Sequence, residues 1–396
     1  MKGQPIIQHG KRFLIVIIFI LSFGLTGCWD LVEVNRLAIV NFVGLDRNPV
    51  DGKFTVYYQV INPTGVAAQK TSGIKSPIYT YRIEANTSTD IANKIFDIIP
   101  RQPFFDHYSA MIVSERTARA GMKEILEFME KQRDRRATVT LFVTDDPLSD
   151  IMKTYIPLER LPGHAVGSIN ESESMQSGRA GKQSRVKDLV ENMESAAFTV
   201  LPFVRVSGKV MPNTDRYEEI DANQGNIVLQ GGAVFKQDRM VGELTLDEMP
   251  WFYLLNGKIG VFNQSLILDK AHVGVQATRT SVRKQLTMSS GRPILKINIE
   301  SKLQIVENTQ GEKLTVQNLA KIKKQYNRQI SDKAYEFYEK AKRNQWDLLG
   351  IEQQIMLKRG KQWKDAKKDK EIWHQTKLDL TVKCTVDMVG ITIDPY

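Results

Sequence analysis

The sequence predicts an α+β protein of several domains: a mixed α/β N-terminal region with a βαβ-type unit, and a largely antiparallel C-terminal sheet covered by a long helix. Three observations predict it. His107–Ser114, Ala118–Lys131 and Ala137–Val143 read as strand, helix and strand at the size of a βαβ-type unit. Leu295–Ile305 and Leu378–Met388 alternate apolar and polar residues, as strands do when one face meets a core and the other meets water. Between these two runs, Ile322, Tyr326, Ile330, Ala334, Phe337 and Ala341 recur at helical spacing and form a stripe that a long helix must bury. A chain of 396 residues holds two or three domains. The expected division is 1–27 as a signal peptide, 28–208 as the N-terminal α/β region, 209–225 as a linker and 226–396 as the sheet-plus-helix region.

In chain order, the first element is Met1–Asp30. Lys2, Lys11 and Arg12 precede an apolar run from Phe13 to Gly24, followed by Leu25-Thr26-Gly27-Cys28. A spanning helix needs roughly 20 apolar residues, so this run has the length of a signal-peptide core instead. Leu-Thr-Gly-Cys resembles the bacterial lipobox, in which the Cys thiol takes a diacylglyceryl group and becomes the first mature residue. Cys28 is therefore the expected lipidation site, with the rest of the chain tethered to the outer face of a membrane. An uncleaved anchor and an ordinary secretory signal are the alternatives. No second apolar run approaches 18 residues.

Leu37–Val43 is rich in β-branched and aliphatic residues and reads as a strand ending at Gly44-Leu45-Asp46. Asn48-Pro49-Val50-Asp51-Gly52 supplies a turn, and Phe54–Ile61 returns as a second strand. Asn62–Pro77 reads as a loop and Ile78–Glu84 as a third strand. Ser88-Thr89-Asp90 then caps a helix whose Ile91, Ile95, Ile98 and Ile99 share a face before Pro100. Asp145-Asp146-Pro147 starts a short helix after the βαβ-type unit. Leu158–Ser184 is rich in Gly, Ser and charge and reads as an exposed loop. Val186, Leu189, Val190, Met193 and Ala197 mark an amphipathic helix, and Phe198–Val206 a strand.

In the second half, Ile227–Thr245 reads as a hairpin with Gln237-Asp238 near its turn, and Leu246–Leu255 as a helix closed by Asn256-Gly257. The two alternating strands and the long helix follow.

Charge is unevenly placed. The formal net charge is +10, and Gly311–Glu371 alone carries 16 Lys/Arg against 9 Asp/Glu. Without a recognisable module or aromatic interleaving, this basic stretch does not read as a nucleic-acid surface. It fits an anionic lipid surface, an acidic partner or a solvated helix face. With only Cys28 and Cys384 present, and Cys28 taken by lipid, a disulfide framework is excluded. The chemistry-bearing patterns are also missing. His107, His164, His272 and His374 stand apart from one another and from any HExxH spacing, so no metal site is expected. Gly167-Ser168-Ile169-Asn170 lacks the second glycine of a nucleophile elbow, and Gly178-Arg179-Ala180-Gly181-Lys182 lacks the spacer and Ser/Thr of a phosphate loop. No catalytic residue and no cofactor are expected, and the chain reads as a binding or assembly protein rather than an enzyme.

Several stretches together resemble the Ger(x)C family, the lipoprotein C subunits of nutrient germinant receptors in endospore-forming bacteria. They are Leu25-Thr26-Gly27-Cys28-Trp29-Asp30 with Glu33 and Asn35, Gly44-x-Asp46, His107 with Ile112-Val113-Ser114-Glu115, and Ala118-Arg119-x-Gly121. Arg133-Asp134-x-Arg136 follows, then Gly232–Lys236 with Asp238, Met240, Val241 and Gly242, and finally Tyr335–Lys340, Trp363, Trp373 and the closing strand to Gly390. Glu243-Leu244 departs from the family, where a bulky aromatic more often precedes Leu. Tyr335–Leu349 departs too, where an Asp and a Gly-rich turn are frequent.

The resemblance implies a diacylglyceryl anchor at Cys28 and residence on the outer surface of the spore inner membrane. It also implies assembly with integral membrane A-type and B-type subunits into a receptor that responds to small nutrients. Whether a nutrient germinant touches this subunit or acts on it indirectly is left open. The alternative is a lipid-anchored solute-binding protein of a transporter, which would show two similar α/β lobes around a cleft.

Overall fold

The structure, a computed structural model, describes residues 33, 36–62, 77–131, 137–154, 156, 159, 161–181, 184–193, 195, 197–208, 226–311, 313–369 and 371–389. The anchor segment with Cys28, most of the 62–77 loop, Arg133–Arg136 and the 209–225 linker lie outside the described residues.

The N-terminal elements run β1 (Leu37–Arg47), β2 (Phe54–Ile61), β3 (Ile78–Ala85), α1 (Ser88–Ile98), β4 (Gln102–Phe104), β5 (Ala110–Ser114), α2 (Glu115–Ala120) and α3 (Lys123–Lys131). They continue with β6 (Thr140–Thr144), α4 (Leu148–Ile151), α5 (Pro162–Gln176), α6 (Val186–Met193), β7 (Phe198–Ser207), β8 (Asn226–Lys236) and β9 (Arg239–Thr245). One sheet holds all of these strands in the order β3-β2-β1-β5-β6-β7-β8-β9, with β4 beside the start of β1. Its centre is parallel, β1 with β5, β5 with β6 and β6 with β7, and its flanks are antiparallel.

Parallel strands are covered on both faces and therefore read as continuous apolar runs. Ala110–Ser114 is buried at every position. Met111, Val113, Leu141 and Val143 face a layer with Ile91, Ile95, Ile125, Leu126 and Leu189 from α1, α3 and α6. Ala110, Ile112 and Phe142 face the opposite layer, with Leu148, Ile151, Ala165 and Val166 from α4 and α5. This is the βαβ-type architecture that the sequence predicts.

Two local expectations change. The segment 158–184 is not an exposed loop, because α5 occupies most of it and buries Pro162, Gly163, Ala165, Val166, Asn170 and Ser174. Its buried face is made of small residues, so it shows no apolar stripe. A Cβ on Gly163 would lie 2.7 Å from the Asn41 carbonyl and 2.8 Å from the Phe42 side chain, so contact at backbone distance seats this helix. The helix expected at Ala118–Lys131 is two helices, broken at Gly121, whose φ is 119°.

The second half adds α7 (Met249–Leu255), β10 (Phe262–Leu268), β11 (Ala271–Ser289), β12 (Arg292–Asn308), α8 (Val316–Arg343), α9 (Ile351–Leu357) and β13 (Lys377–Val389). The hairpin β8–β9 extends the first sheet, since β7 pairs with β8 across the linker. The second sheet has the order β10-β11-β12-β13. Two-residue loops join its antiparallel strands, with positive φ at Asp269 and Lys270 and at Ser290 and Gly291, the geometry that matches strand twist. β13 instead runs parallel to β12. Alternation reports which face is buried but not strand direction, and the long α8 crossover returns the chain to the start of β12.

All six expected stripe residues of α8 are buried, joined by Asn318 and Tyr338. The helix α7 is buried on every side. It joins Val200, Val234 and Leu244 of the first sheet to the second sheet and α8 in one continuous core. Among the described residues no helix is long and apolar enough to cross a membrane.

Candidate functional site

The expected site residue, Cys28, lies outside the described residues. Within the described body, the polar side chains converge on one rim, where β1, β5 and β6 end. Asp46 ends β1 with its side chain only 12% exposed. Ser114, the N-cap of α2, donates its hydroxyl to the Asp46 carboxylate. Arg116 donates Nε to Oδ1 at 2.7 Å and Nη2 to Oδ2, and Thr117 donates Oγ1 to Oδ1 at 3.2 Å. The Arg47 amide in turn donates to Thr117 Oγ1 at 2.7 Å. Burial by itself would raise the Asp46 pKa, but the donors from Arg116 and Ser114 outweigh it and hold the carboxyl below its usual range.

The same rim carries a second charge network. Arg119 reaches Glu115 at 2.6 Å and Glu243 at 3.4 Å, and Arg205 forks onto both oxygens of Asp145 at 2.7 Å. Burial and the charge of Glu115 raise the Glu243 pKa against the pull of Arg119 and Arg205. At the break between α2 and α3, the Met122 amide donates to the Asp238 carbonyl at 3.0 Å and the Lys123 amide to Asp238 Oδ2 at 3.2 Å. A Cβ on Gly121 would sit 2.8 Å from Asp238 Oδ2, so the helix break and the β8–β9 turn are built against each other.

Several of the residues that carry the family resemblance thus meet in space, Asp46 with Ser114 and Gly121 with Asp238, while Arg119 meets Glu243, where the chain departs from the family. Arg133–Arg136 lies outside the described residues. The histidines stay apart: His107 against Phe104, His164 beside Glu159, His272 beside Ser265 and His374 on Trp373. Among the described residues no three His, Cys, Asp or Glu side chains gather as metal ligands.

Sequence reasoning does not find the partly buried polar link that joins β11, the end of α7 and the chain after α8. Lys284 donates Nζ to Asn256 Oδ1 at 3.0 Å, and Asn256 donates to the Leu348 carbonyl at 3.0 Å. Asp347, 3% exposed, accepts from the Ile351 and Glu352 amides at 2.8 and 2.7 Å and so caps α9. Burial, then the charge of Lys258, lowers the Lys284 pKa to about 8 against the attraction of Asp347. Burial raises the Asp347 pKa against its amide donors.

Two clefts flank α7. One of about 780 Å³ is lined by Asp188, Asn192, Thr199, Tyr253, Lys258 and Arg279 among others, where α6, β7 and β11 approach one another. A second, of about 530 Å³, lies between α7 and α8 and is lined by residues including Arg179, Glu248, Trp251, Lys333 and Lys340. Both have mixed charge, and among the described residues no histidine lines either.

Comparison with known proteins places this geometry. Residues 30–206 match the family model described as spore germination protein N-terminal domain. Residues 230–391 match the model described as spore germination B3/GerAC like, C-terminal. The chain is 25% identical over 411 residues to spore germination protein KC of Bacillus subtilis (strain 168), covering 97% of this chain and 98% of the relative. It is 24% identical over 295 residues to putative spore germination protein YfkR of the same organism, 72% of each chain. Its fold is similar to the crystal structure of the GerBC protein, with a TM-score of 0.55 at 12% identity over 87% of this chain and 96% of that one.

Proposed function

This chain belongs to the GerAC-like family of spore germination proteins, and we propose that it acts as the lipid-anchored C subunit of a nutrient germinant receptor. In this reading it works by assembling with integral membrane A-type and B-type subunits and not by catalysis. The observation that carries the reading is the match of both family domains in order, the first beginning at Asp30, two residues after Cys28. In this reading a leader ends at Gly27, and the lipidated Cys28 begins the mature chain on the outer surface of the spore inner membrane.

Lipid anchoring supplies a mechanism at the level of concentration. Two acyl chains hold stably where one is marginal, at about 0.8 kcal/mol per buried methylene. Confinement near the partners then lets weak individual contacts suffice. The solute-binding alternative needs two similar lobes, whereas the two sheets here differ in strand number, order and direction.

The test replaces Cys28 with Ala in spores. Loss of the lipid mass and of membrane retention, with nutrient germination falling to the level of the deletion strain, is expected. An unlipidated chain that supports full germination would overturn the reading. So would recovery of the wild-type protein from detergent extracts without polytopic partners.

A further inference from the structure

The basic excess of Gly311–Glu371 is not spread evenly over the fold. On α8 it is half compensated, four of eight cations being paired: Arg328 with Asp332, Lys333 with Glu336, Lys340 with Glu248 and Lys342 with Glu339. Past α9 it is not. Lys358, Arg359, Lys361, Lys364, Lys367 and Lys368 follow within eleven positions, with Asp365 the one acid among them. Among the described residues Lys368 pairs with Asp365 at 3.3 Å, while Arg359, Lys361 and Lys364 have no carboxylate within ion-pair distance.

The segment is held in shape from beneath. Trp363 and Ala366 are buried in the core of the second sheet, and Ile372 and Trp373 pin its far end. Lys358 lies over the Trp363 ring at 5.9 Å. Burial at positions 363 and 366 leaves Arg359, Lys361, Lys364 and Lys368 exposed.

Beside this basic strap lies an apolar pair. The last turn of α9 buries Ile355 but leaves Met356 55% exposed and Leu357 77% exposed. Two adjacent large apolar side chains in water, bordered by uncompensated cations, are what an anionic bilayer surface selects: headgroups for the cations, the acyl boundary for the apolar pair. We propose that Met356–Lys368 is a membrane-contact tip that binds anionic phospholipid and inserts Met356 and Leu357. This rests on the membrane residence proposed above. From Cys28 to Leu37 the chain spans nine residues, whose fully extended reach is at most about 30 Å. The tip supplies the basic second contact that the anchor's own neighbourhood lacks, since Trp29–Val60 carries four acids and three bases.

The test reconstitutes the full chain into vesicles of phosphatidylcholine, alone or mixed with phosphatidylglycerol, with brominated acyl chains that quench tryptophan in contact. The reporters are Leu357→Trp and, as a control at a 91% exposed turn, Val50→Trp, each read against the wild-type chain. Leu357→Trp should be quenched in phosphatidylglycerol vesicles beyond Val50→Trp. Added Lys361→Glu and Lys364→Glu, or high salt, should lower that excess about fivefold or more, the factor equivalent to one basic residue at an anionic surface.

Equal quenching of the two reporters would overturn the tip. So would quenching of Leu357→Trp that is the same in phosphatidylcholine alone or that survives charge reversal. Quenching that needs added partner subunits would assign the strap to an acidic protein surface and equally overturn it. A chain that fails to float with phosphatidylcholine vesicles would sink the tethering reading, while the phosphatidylglycerol arm would still decide the tip.

Discussion

The indole of Trp346 lies against the backbone of Gly242, so closely that a Cβ on Gly242 would fall 2.0 Å from its Cζ2. This contact joins β9, at the edge of the first sheet, to the chain just after α8. Gly242→Ala must push the ring out of a site where Trp346 is only 9% exposed. The expected cost is about 2 kcal/mol, in the range of overpacked cores. In a Trp346→Ala background the same change should cost almost nothing, and a double-mutant cycle by urea unfolding measures the difference.

Asp46→Asn removes the acceptor at the centre of the Ser114, Arg116 and Thr117 cluster. At neutral pH the loss should be about 2 kcal/mol, a buried hydrogen-bonded charge broken on one side. The folded Asp46 pKa lies below its unfolded value. Its contribution is therefore complete above the ordinary carboxylate range and fades as pH falls through the folded pKa. Unfolding curves of wild type and variant should converge in acid; a gap that stays constant would show that charge is not what Asp46 contributes.

Lys284 gives the opposite end of the pH scale. Its folded pKa, about 8, lies below that of an unfolded lysine. Stability from this group is complete above the unfolded pKa and lost as pH falls through about 8. Between pH 7 and pH 10 the wild type should gain about 2 kcal/mol relative to Lys284→Met, with Lys258 and Asp347 as the charged groups beside it. Parallel stability curves would refute it.

The free edge of β13 is closed by a side chain. Tyr335 on α8 donates its hydroxyl to the Leu378 carbonyl at 3.3 Å and accepts from the Leu380 amide at 3.3 Å. An open strand edge invites pairing with another chain, and this hydroxyl occupies two of its groups. Tyr335→Phe should cost about 1 kcal/mol and speed hydrogen exchange at the Leu380 amide. Unchanged exchange there would show that α8 covers the edge without the hydroxyl.

Much of this fold is legible in the sequence because periodicity reports burial directly. The stripe of α8, the alternation of β12 and β13, and the strands Leu37–Arg47, Phe54–Ile61 and Phe198–Ser207 all follow from it. The failures have local causes. The helix α5 buries small residues and so lacks an apolar stripe, and Gly121 divides α2 from α3 because Asp238, 117 positions away, fills the space a side chain would need. The strands β10 and β11 go unassigned, since Asp269-Lys270 and Ser290-Gly291 take positive φ without an Asn-Gly signature.

By itself the sequence determined the α+β class and the basic excess near the C-terminus, both properties of neighbouring residues, and it carries the Leu25-Thr26-Gly27-Cys28 run on which the proposed anchor rests. Only the tertiary structure decided that β13 runs parallel to β12, that one sheet continues across the linker, and that Asp46 meets Ser114 and Gly242 meets Trp346. It also decided which cations are neutralised and which stand free beside Met356 and Leu357. The physical reason is the range of the interactions. Hydrophobic spacing is written along the chain, whereas pairing direction, close approach and ion pairing depend on which distant segments the fold brings together.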